Sequence, residues 1–336
     1  MKHRYCTLFD SFYLSRGLAL IDSLKQFDPD FSLLIFAMDD LTKKVLLSLK
    51  DPALVIKGAA DLEDAELLKI KASRNVAEYF WTCTPKTILY ALQTLNWEHC
   101  TYIDADIYFF SDPDPLFDGV ENILLVPHRF SKKFSRMNEA GKYCVQFNFF
   151  RNNAEGLKIL GWWKDACLAW CFDRYEDGKF GDQKYLDDWT ERFQGVLSLP
   201  HEGGGVAPWN LAQYEVSGSL EQRNLEIKKI SDGHRWPIVF YHFHALKFYT
   251  QNRVQLGRFQ FPQAVIQQIY APYIKKLWSI EADLMKNWKS EGYQQRLQAE
   301  PGGLRPWLSR VRDRLRRKQH IYPISQFVGD TRAPAR

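Results

Sequence analysis

No stretch of the 336 residues approaches the roughly 18 uninterrupted apolar residues that span a bilayer, so no spanning helix is expected. The apolar core of a secretory signal is also missing, because Asp10 interrupts the N-terminal segment before one can form. The six cysteines (Cys6, Cys83, Cys100, Cys144, Cys167 and Cys171) show no paired C-x-x-C spacing, which argues against a structural zinc. Cys167 and Cys171 stand one helical turn apart and read as small buried apolar residues. Such usage fits a reducing, cytoplasmic compartment. A large excess of one charge is lacking too. The 45 Lys and Arg against 40 Asp and Glu leave a formal net charge of +5. That is weaker and less clustered than an electrostatic nucleic-acid binder shows, so no nucleic-acid partner is expected. Internal repeats and low-complexity tracts are absent.

What is present is a chain 46% hydrophobic and 15% aromatic, enough for a sizeable core. Its first half alternates strand and helix patterns. Tyr5–Phe9, Ser32–Ala37, Leu54–Ile56, His99–Ile103, Glu121–Val126 and Tyr143–Phe150 read as strands. Ile107–Phe110 reads as an extended continuation of the His99 strand. Leu18, Ile21, Leu24 and Lys25 mark a helix, Leu41–Leu49 another, and Ala154–Trp170 a third. Thr84-Pro85 is expected to open a helix reaching about Leu95, since proline suits a first helical turn. A polar loop, a short helix and the run Gly203-Gly204-Gly205 follow, then a β-rich segment at Pro237–Tyr241. The alternation predicts an α/β fold with a mainly parallel sheet, whose ligands bind outside the carboxyl ends of the strands. Composition divides the chain into a catalytic domain over 1–280 and a helical or partly disordered basic extension over 281–336.

Within that frame Asp104-Ala105-Asp106 interrupts an apolar run, Tyr102-Ile103 before it and Ile107-Tyr108-Phe109-Phe110 after it. Carboxylates in apolar surroundings need a cation or a dense hydrogen-bond network. Residues two apart on an extended segment share a side, so both can face one hard divalent cation such as Mg²⁺ or Mn²⁺. A strand-end turn with capping aspartates is the structural alternative. Asp28-Pro29-Asp30 and Asp112-Pro113-Asp114 look like turns only. His242 and His244 of Tyr241-His242-Phe243-His244-Ala245 also share a side of an extended segment. Spacing alone leaves either, or neither, as a metal ligand. Lys247 follows as a point charge for a phosphate. Asp182 and Gln183, after the glycines of Gly178-Lys179-Phe180-Gly181, stand at the start of a short helix. There they suit sugar hydroxyls, or Asp182 acts simply as an N-cap.

Together these segments resemble the GT-A nucleotide-sugar transferases, most closely the retaining glycosyltransferase family 8 of glycogenin and bacterial lipooligosaccharide galactosyltransferases. The resemblance covers about residues 3–250 in the family's motif order. Thr7-Leu8-Phe9-Asp10-Ser11-Phe12-Tyr13-Leu14-Ser15-Arg16-Gly17 is similar to its first strand and base-binding loop, Asp104-Ala105-Asp106 to its metal motif, and Gly181-Asp182-Gln183 to its D-Q motif. His242-Phe243-His244-Ala245 resembles its H-x-x-G, with Ala245 in the glycine's place. Lys247 comes one position early, and Val145-Gln146-Phe147-Asn148-Phe149-Phe150 lacks the N-x-G of close relatives. The resemblance implies that Asp104, Asp106 and His242 hold Mn²⁺ or Mg²⁺. It implies that Thr7, Asp10, Tyr13, Arg16, Lys86, Asp104 and Lys247 bind the nucleotide sugar, and that Asp182 and Gln183 act beside the transferred sugar.

The implied activity is transfer of a sugar from a nucleoside-diphosphate donor, a UDP-sugar, to a glycan or glycolipid acceptor with retention. A metallohydrolase built on the H-x-H and D-x-D pairs is one enzymatic alternative, and a sugar-1-phosphate nucleotidyltransferase is a second. The second wants a glycine-rich phosphate loop after the first strand, where this chain has Asp10-Ser11-Phe12-Tyr13-Leu14. A non-catalytic carbohydrate-binding protein on the same fold is the third. Finally, residues 305–322 set Trp307, Leu308, Val311 and Leu315 on one helical face among arginines. That pattern is a candidate for peripheral contact with the inner face of an anionic membrane; a solvated helix packed on the catalytic domain, or a disordered basic tail, is the alternative.

Overall fold

The computed structural model of the chain describes residues 2–249, 252–288 and 320–329. The expected alternation is there. β1 (Arg4–Phe9), α1 (Leu14–Phe27), β2 (Ser32–Ala37), α2 (Asp40–Ser48) and β3 (Leu54–Gly58) form the opening βαβαβ unit. Then come α3 (Ala59–Leu62), α4 (Ala65–Lys71), α5 (Val76–Leu89), β4 (His99–Ile103), β5 (Ile107–Phe109), β6 (Ile123–Pro127), β7 (Tyr143–Arg151) and α6 (Ala154–Ala169). Shorter elements follow: α7 (Trp189–Arg192), β8 (Val196–Ser198), β9 (Gly204–Val206), β10 (Tyr214–Ser217), β11 (Glu226–Lys229), β12 (Arg235–Pro237) and β13 (Phe240–His242). β14 (Lys247–Tyr249), β15 (Arg253–Gln255), α8 (Gln263–Val265), α9 (Ala271–Trp288), β16 (Ile321–Pro323) and α10 (Ser325–Val328) complete the described chain.

Seven strands make the main sheet in the order β3-β2-β1-β4-β7-β6-β8. Only β7 runs against its neighbours, pairing antiparallel with both β4 and β6. Strand alternation sends Tyr5 and Phe9 into one core layer with α1 and α2, and Cys6 and Leu8 into another with α5 and α6. Burial on both faces explains why these strands read as continuous apolar runs. Gly17 lets α1 lie close on this sheet, because a Cβ there would stand 2.3 Å from the Phe9 ring. All six cysteines are free and buried, as their scattered spacing implied. No helix among the described residues is long and apolar enough to cross a membrane.

Two local expectations are corrected. The helix assigned to Thr84-Pro85 begins at Val76, and Pro85 lies inside it. Asn75 and Glu78 form a reciprocal capping box that sets the start. Burial of Tyr79, Thr82, Cys83 and Ile88 along one face outweighs the one backbone bond that proline removes. Likewise, β5 does not continue β4. The chain turns at Asp104–Asp106, and β5 enters a separate sheet of order β5-β13-β9. The arginine-rich stretch 305–319 lies outside the described residues. Residues 321–323 of the expected basic segment form β16, which pairs antiparallel with β15.

Candidate metal and nucleotide-sugar site

The site forms where β1 and β4 deliver their carboxyl ends. β4 stops at Ile103, and the turn that follows is closed by Ile107 N–H donating to the Asp104 carbonyl at 3.2 Å. Asp104 N–H donates to the Gln146 carbonyl of β7 at 3.0 Å, which fixes the turn on the sheet. The two carboxylates therefore converge through a tight turn and not through the pleat of one strand. β5 then pairs antiparallel with β13, with Ile107 opposite His242. Phe243 N–H donates to the Asp106 carbonyl at 3.0 Å and carries the ladder one step further.

That register brings His242 to the aspartates from about 136 residues away in sequence. His242 Nε2 stands 3.1 Å from Asp106 Oδ1 and 3.8 Å from Asp104 Oδ2. One ligand atom from each of the three residues lies within 4.8 Å of the others. The side chains of His242 and Asp106 are 6% and 11% exposed, whereas Asp104 keeps 31%, so the centre opens over Asp104. Burial would raise the Asp106 carboxyl, but the charge and hydrogen bond of His242, with Arg16 beyond, hold it below its usual range. Burial and the neighbouring Asp106 push Asp104 the other way, against the pull of His242. His242 is raised well above an ordinary imidazole by Asp106, despite its burial. Two crowded carboxylates thus pull the His242 imidazole toward its charged form. A divalent cation meets the same need with two hard oxygens and one imidazole nitrogen, so the residues present fit Mn²⁺ or Mg²⁺.

His244 does not join this group. β13 ends at His242, and His244 lies exposed in the following turn with its ring centroid 5.7 Å from that of His242. Ala245, in the same turn, has φ of +63°, the left-handed region that favours glycine. Position 245, where the H-x-x-G pattern has glycine, therefore takes a backbone conformation that glycine adopts without strain.

Thr7 is buried in β1, its hydroxyl without a partner among the described residues. Asp10 follows β1 and its carboxylate accepts from Phe12 N–H at 2.9 Å. Tyr13 is 36% exposed beneath Arg16, whose guanidinium lies 4.7 Å from the ring centroid. Arg16 donates through Nη2 to the Leu246 carbonyl at 2.9 Å, tying the loop after β1 to the turn after His242. Asp182 is buried near Asp104. Its Oδ2 has no partner among the described residues, and burial with the Asp104 charge raises its carboxyl well above the usual range. It makes no side-chain cap to the short helical turn Gln183–Leu186, contrary to the N-cap alternative. Trp163 Nε1 holds its carbonyl at 2.9 Å. Gln183 uses its amide differently, donating to the Ala140 carbonyl at 2.9 Å. Lys247 is exposed at the start of β14. Lys86 pairs with Asp64 and, at 3.6 Å, with Glu66.

Sequence reasoning missed Asp39, which bridges the loop after β1 to α2 by accepting from Ser11 N–H at 2.7 Å and Thr42 N–H at 2.8 Å. The Asp39-Asp40 pair just before a helical pattern was the signal available. It also left Gln146 and Asn148 without a role. Both are fully buried on β7, and neither amide has a partner among the described residues.

No family model matches the chain. The chain is similar to the uncharacterized protein YfnF of Bacillus subtilis (strain 168), at 34% identity over 266 residues that cover 76% of this chain and 85% of that protein. It is 27% identical over 283 residues to the uncharacterized protein YfnD of the same organism, covering 81% and 88%. Among solved structures, the galactosyltransferase LgtC in complex with donor and acceptor sugar analogs superposes with a TM-score of 0.53. That likeness covers 88% of this chain and 100% of LgtC at 11% sequence identity, and it bears on fold alone. The chain thus carries the GT-A architecture, a mainly parallel sheet flanked by helices, and it belongs to the family of the Bacillus subtilis protein YfnF.

Proposed function

We propose that this protein is a metal-dependent glycosyltransferase that moves a sugar from a nucleoside-diphosphate donor, a UDP-sugar, to a glycan or glycolipid acceptor. The observation that carries the proposal is the convergence of Asp104, Asp106 and His242 at the carboxyl ends of the parallel strands of a GT-A fold. Open α/β sheets bind their ligands there. A bound Mn²⁺ or Mg²⁺ supplies Lewis-acid stabilisation of the charge that develops on a leaving diphosphate. Asp104, Asp106 and His242 hold the cation. Arg16, beside Asp106, and Lys247, exposed at the start of β14, supply positive charge around the diphosphate. Asp10 and Tyr13 take the base, by a carboxylate hydrogen bond and by ring stacking. Asp182 and Gln183 orient the sugar. Retention of configuration and the family 8 assignment follow from the motif resemblance.

Product analysis tests the reading. Incubation with a panel of UDP- and GDP-sugars should release nucleoside diphosphate in Mn²⁺ and not in chelator. Release of pyrophosphate from a sugar 1-phosphate and a nucleoside triphosphate would assign a nucleotidyltransferase instead. We further propose that the basic segment 305–322 draws the cytoplasmic enzyme to anionic membranes. Full-length chain sedimenting with anionic vesicles no better than a chain ending near residue 295 would refute it.

A further inference from the structure

The turn Ala207-Pro208-Trp209-Asn210-Leu211 lies outside every role assigned so far, yet it packs against the metal centre. Trp209 is 3% exposed. Its indole meets the His242 ring edge-on, with centroids 5.4 Å apart and planes at 89°. It meets His244 at 5.5 Å and His128 at 5.2 Å in similar fashion. Its position is fixed from several sides. Trp209 Nε1 donates to the His128 carbonyl at 2.8 Å, and the Trp209 carbonyl accepts from Ser131 N–H at 3.2 Å. Asn210 Nδ2 donates to the His128 carbonyl at 3.1 Å and to the Gly205 carbonyl at 2.9 Å. Asn210 Oδ1 accepts from Ala207 N–H at 3.0 Å, closing the turn on itself.

His242 needs such a wall. Metal-binding imidazoles are usually oriented by a hydrogen bond from their second nitrogen to a carboxylate, a carbonyl or water. The Nδ1 of His242 is buried and has no hydrogen-bond partner among the described residues. The Cys144 thiol beside the ring offers it only a weak hydrogen bond. Only that weak thiol contact is left to fix the ring's rotation from the polar side once the Asp106 contact is exchanged for a cation. Packing must do it, and the perpendicular indole is the rigid, anchored surface in place.

We infer that Trp209 is a positioning residue for the metal centre, holding the His242 imidazole so that its Nε2 faces Asp104 and Asp106. The inference rests on the metal centre of the proposed function. Its test separates the two by reading Mn²⁺ alone, without donor sugar. Free Mn²⁺ measured by electron paramagnetic resonance gives the affinity, and the pulsed ¹⁴N modulation of bound Mn²⁺ reports a directly coordinated imidazole. Wild type should show the modulation. Trp209→Phe, which keeps a perpendicular ring, should retain it. Trp209→Leu should bind Mn²⁺ at least about tenfold more weakly and lose the modulation at saturating metal. Leu211→Ala, a cavity in the same turn, should lower stability while leaving the modulation intact. Trp209→Met carries the same test if the leucine variant does not fold. Full modulation and wild-type affinity in Trp209→Leu or Trp209→Met overturn the inference alone, as does loss of modulation in Leu211→Ala. Wild type without any ¹⁴N modulation overturns the metal centre and the inference together.

Discussion

Ala245→Gly should stabilise this protein, and the size of the effect follows from one backbone angle. Ala245 has φ of +63° in the turn that follows His242, where Leu246 N–H donates to the Phe243 carbonyl at 3.2 Å. An L-residue with a Cβ in the left-handed region is disfavoured by roughly 1–2 kcal/mol, a cost that glycine does not carry. Against that, glycine gives the unfolded chain more freedom, which costs about 0.5–1 kcal/mol on folding. The difference leaves a net gain of about 0.5–1 kcal/mol. Urea unfolding followed by far-ultraviolet circular dichroism reads it as a higher midpoint with an unchanged slope. An unchanged or lower midpoint would mean that position 245 is not strained, and the agreement with the glycine of the H-x-x-G pattern would lose its force.

Three further outcomes follow. Tyr13→Ala should weaken binding of UDP roughly three- to tenfold by calorimetry, the range of a lost aromatic stack, and unchanged affinity would remove Tyr13 from the base pocket. His242→Ala should weaken Mn²⁺ binding by at least about tenfold and His244→Ala far less, since only His242 reaches the aspartates; the reverse ranking in a metal titration would refute the register. Burial holds His99 down to about 4 from an ordinary value of 6.5, so the unfolded chain takes up a proton there before the folded one does. Its contribution is fully present above pH 6.5, is lost as the pH falls toward about 4, and should vanish in His99→Phe, whose pH–stability profile in that window should be flatter than that of wild type.

Strand and helix identity in the first half was legible because burial on both sheet faces writes apolar runs such as Ser32–Ala37 directly into the sequence. Asp104 and Asp106 were legible as charges set in such a run. Their convergence was inferred from the wrong geometry, since a pleat and a tight turn both bring residues two apart together. What could not be read was the partner strand. β13 is three residues long, and its pairing with β5 is a long-range contact with no local signature. Spacing therefore could not choose between His242 and His244, whereas the register does. Pro85 misled because a local propensity rule was applied where tertiary burial decided the outcome. Trp209 carried no chemical group that would mark it, and its place beside three histidines emerges only from the folded chain.

The central claim is that Asp104, Asp106 and His242 form one metal centre at the donor site. Anomalous diffraction from crystals grown with Mn²⁺ and UDP tests it most directly. The account predicts a single strong peak at roughly 2.0–2.3 Å from a carboxylate oxygen of Asp104, one of Asp106 and the Nε2 of His242, with the diphosphate on its open side over Asp104. A nucleotide bound with no peak there, or a peak held by His244 in place of His242, would contradict it.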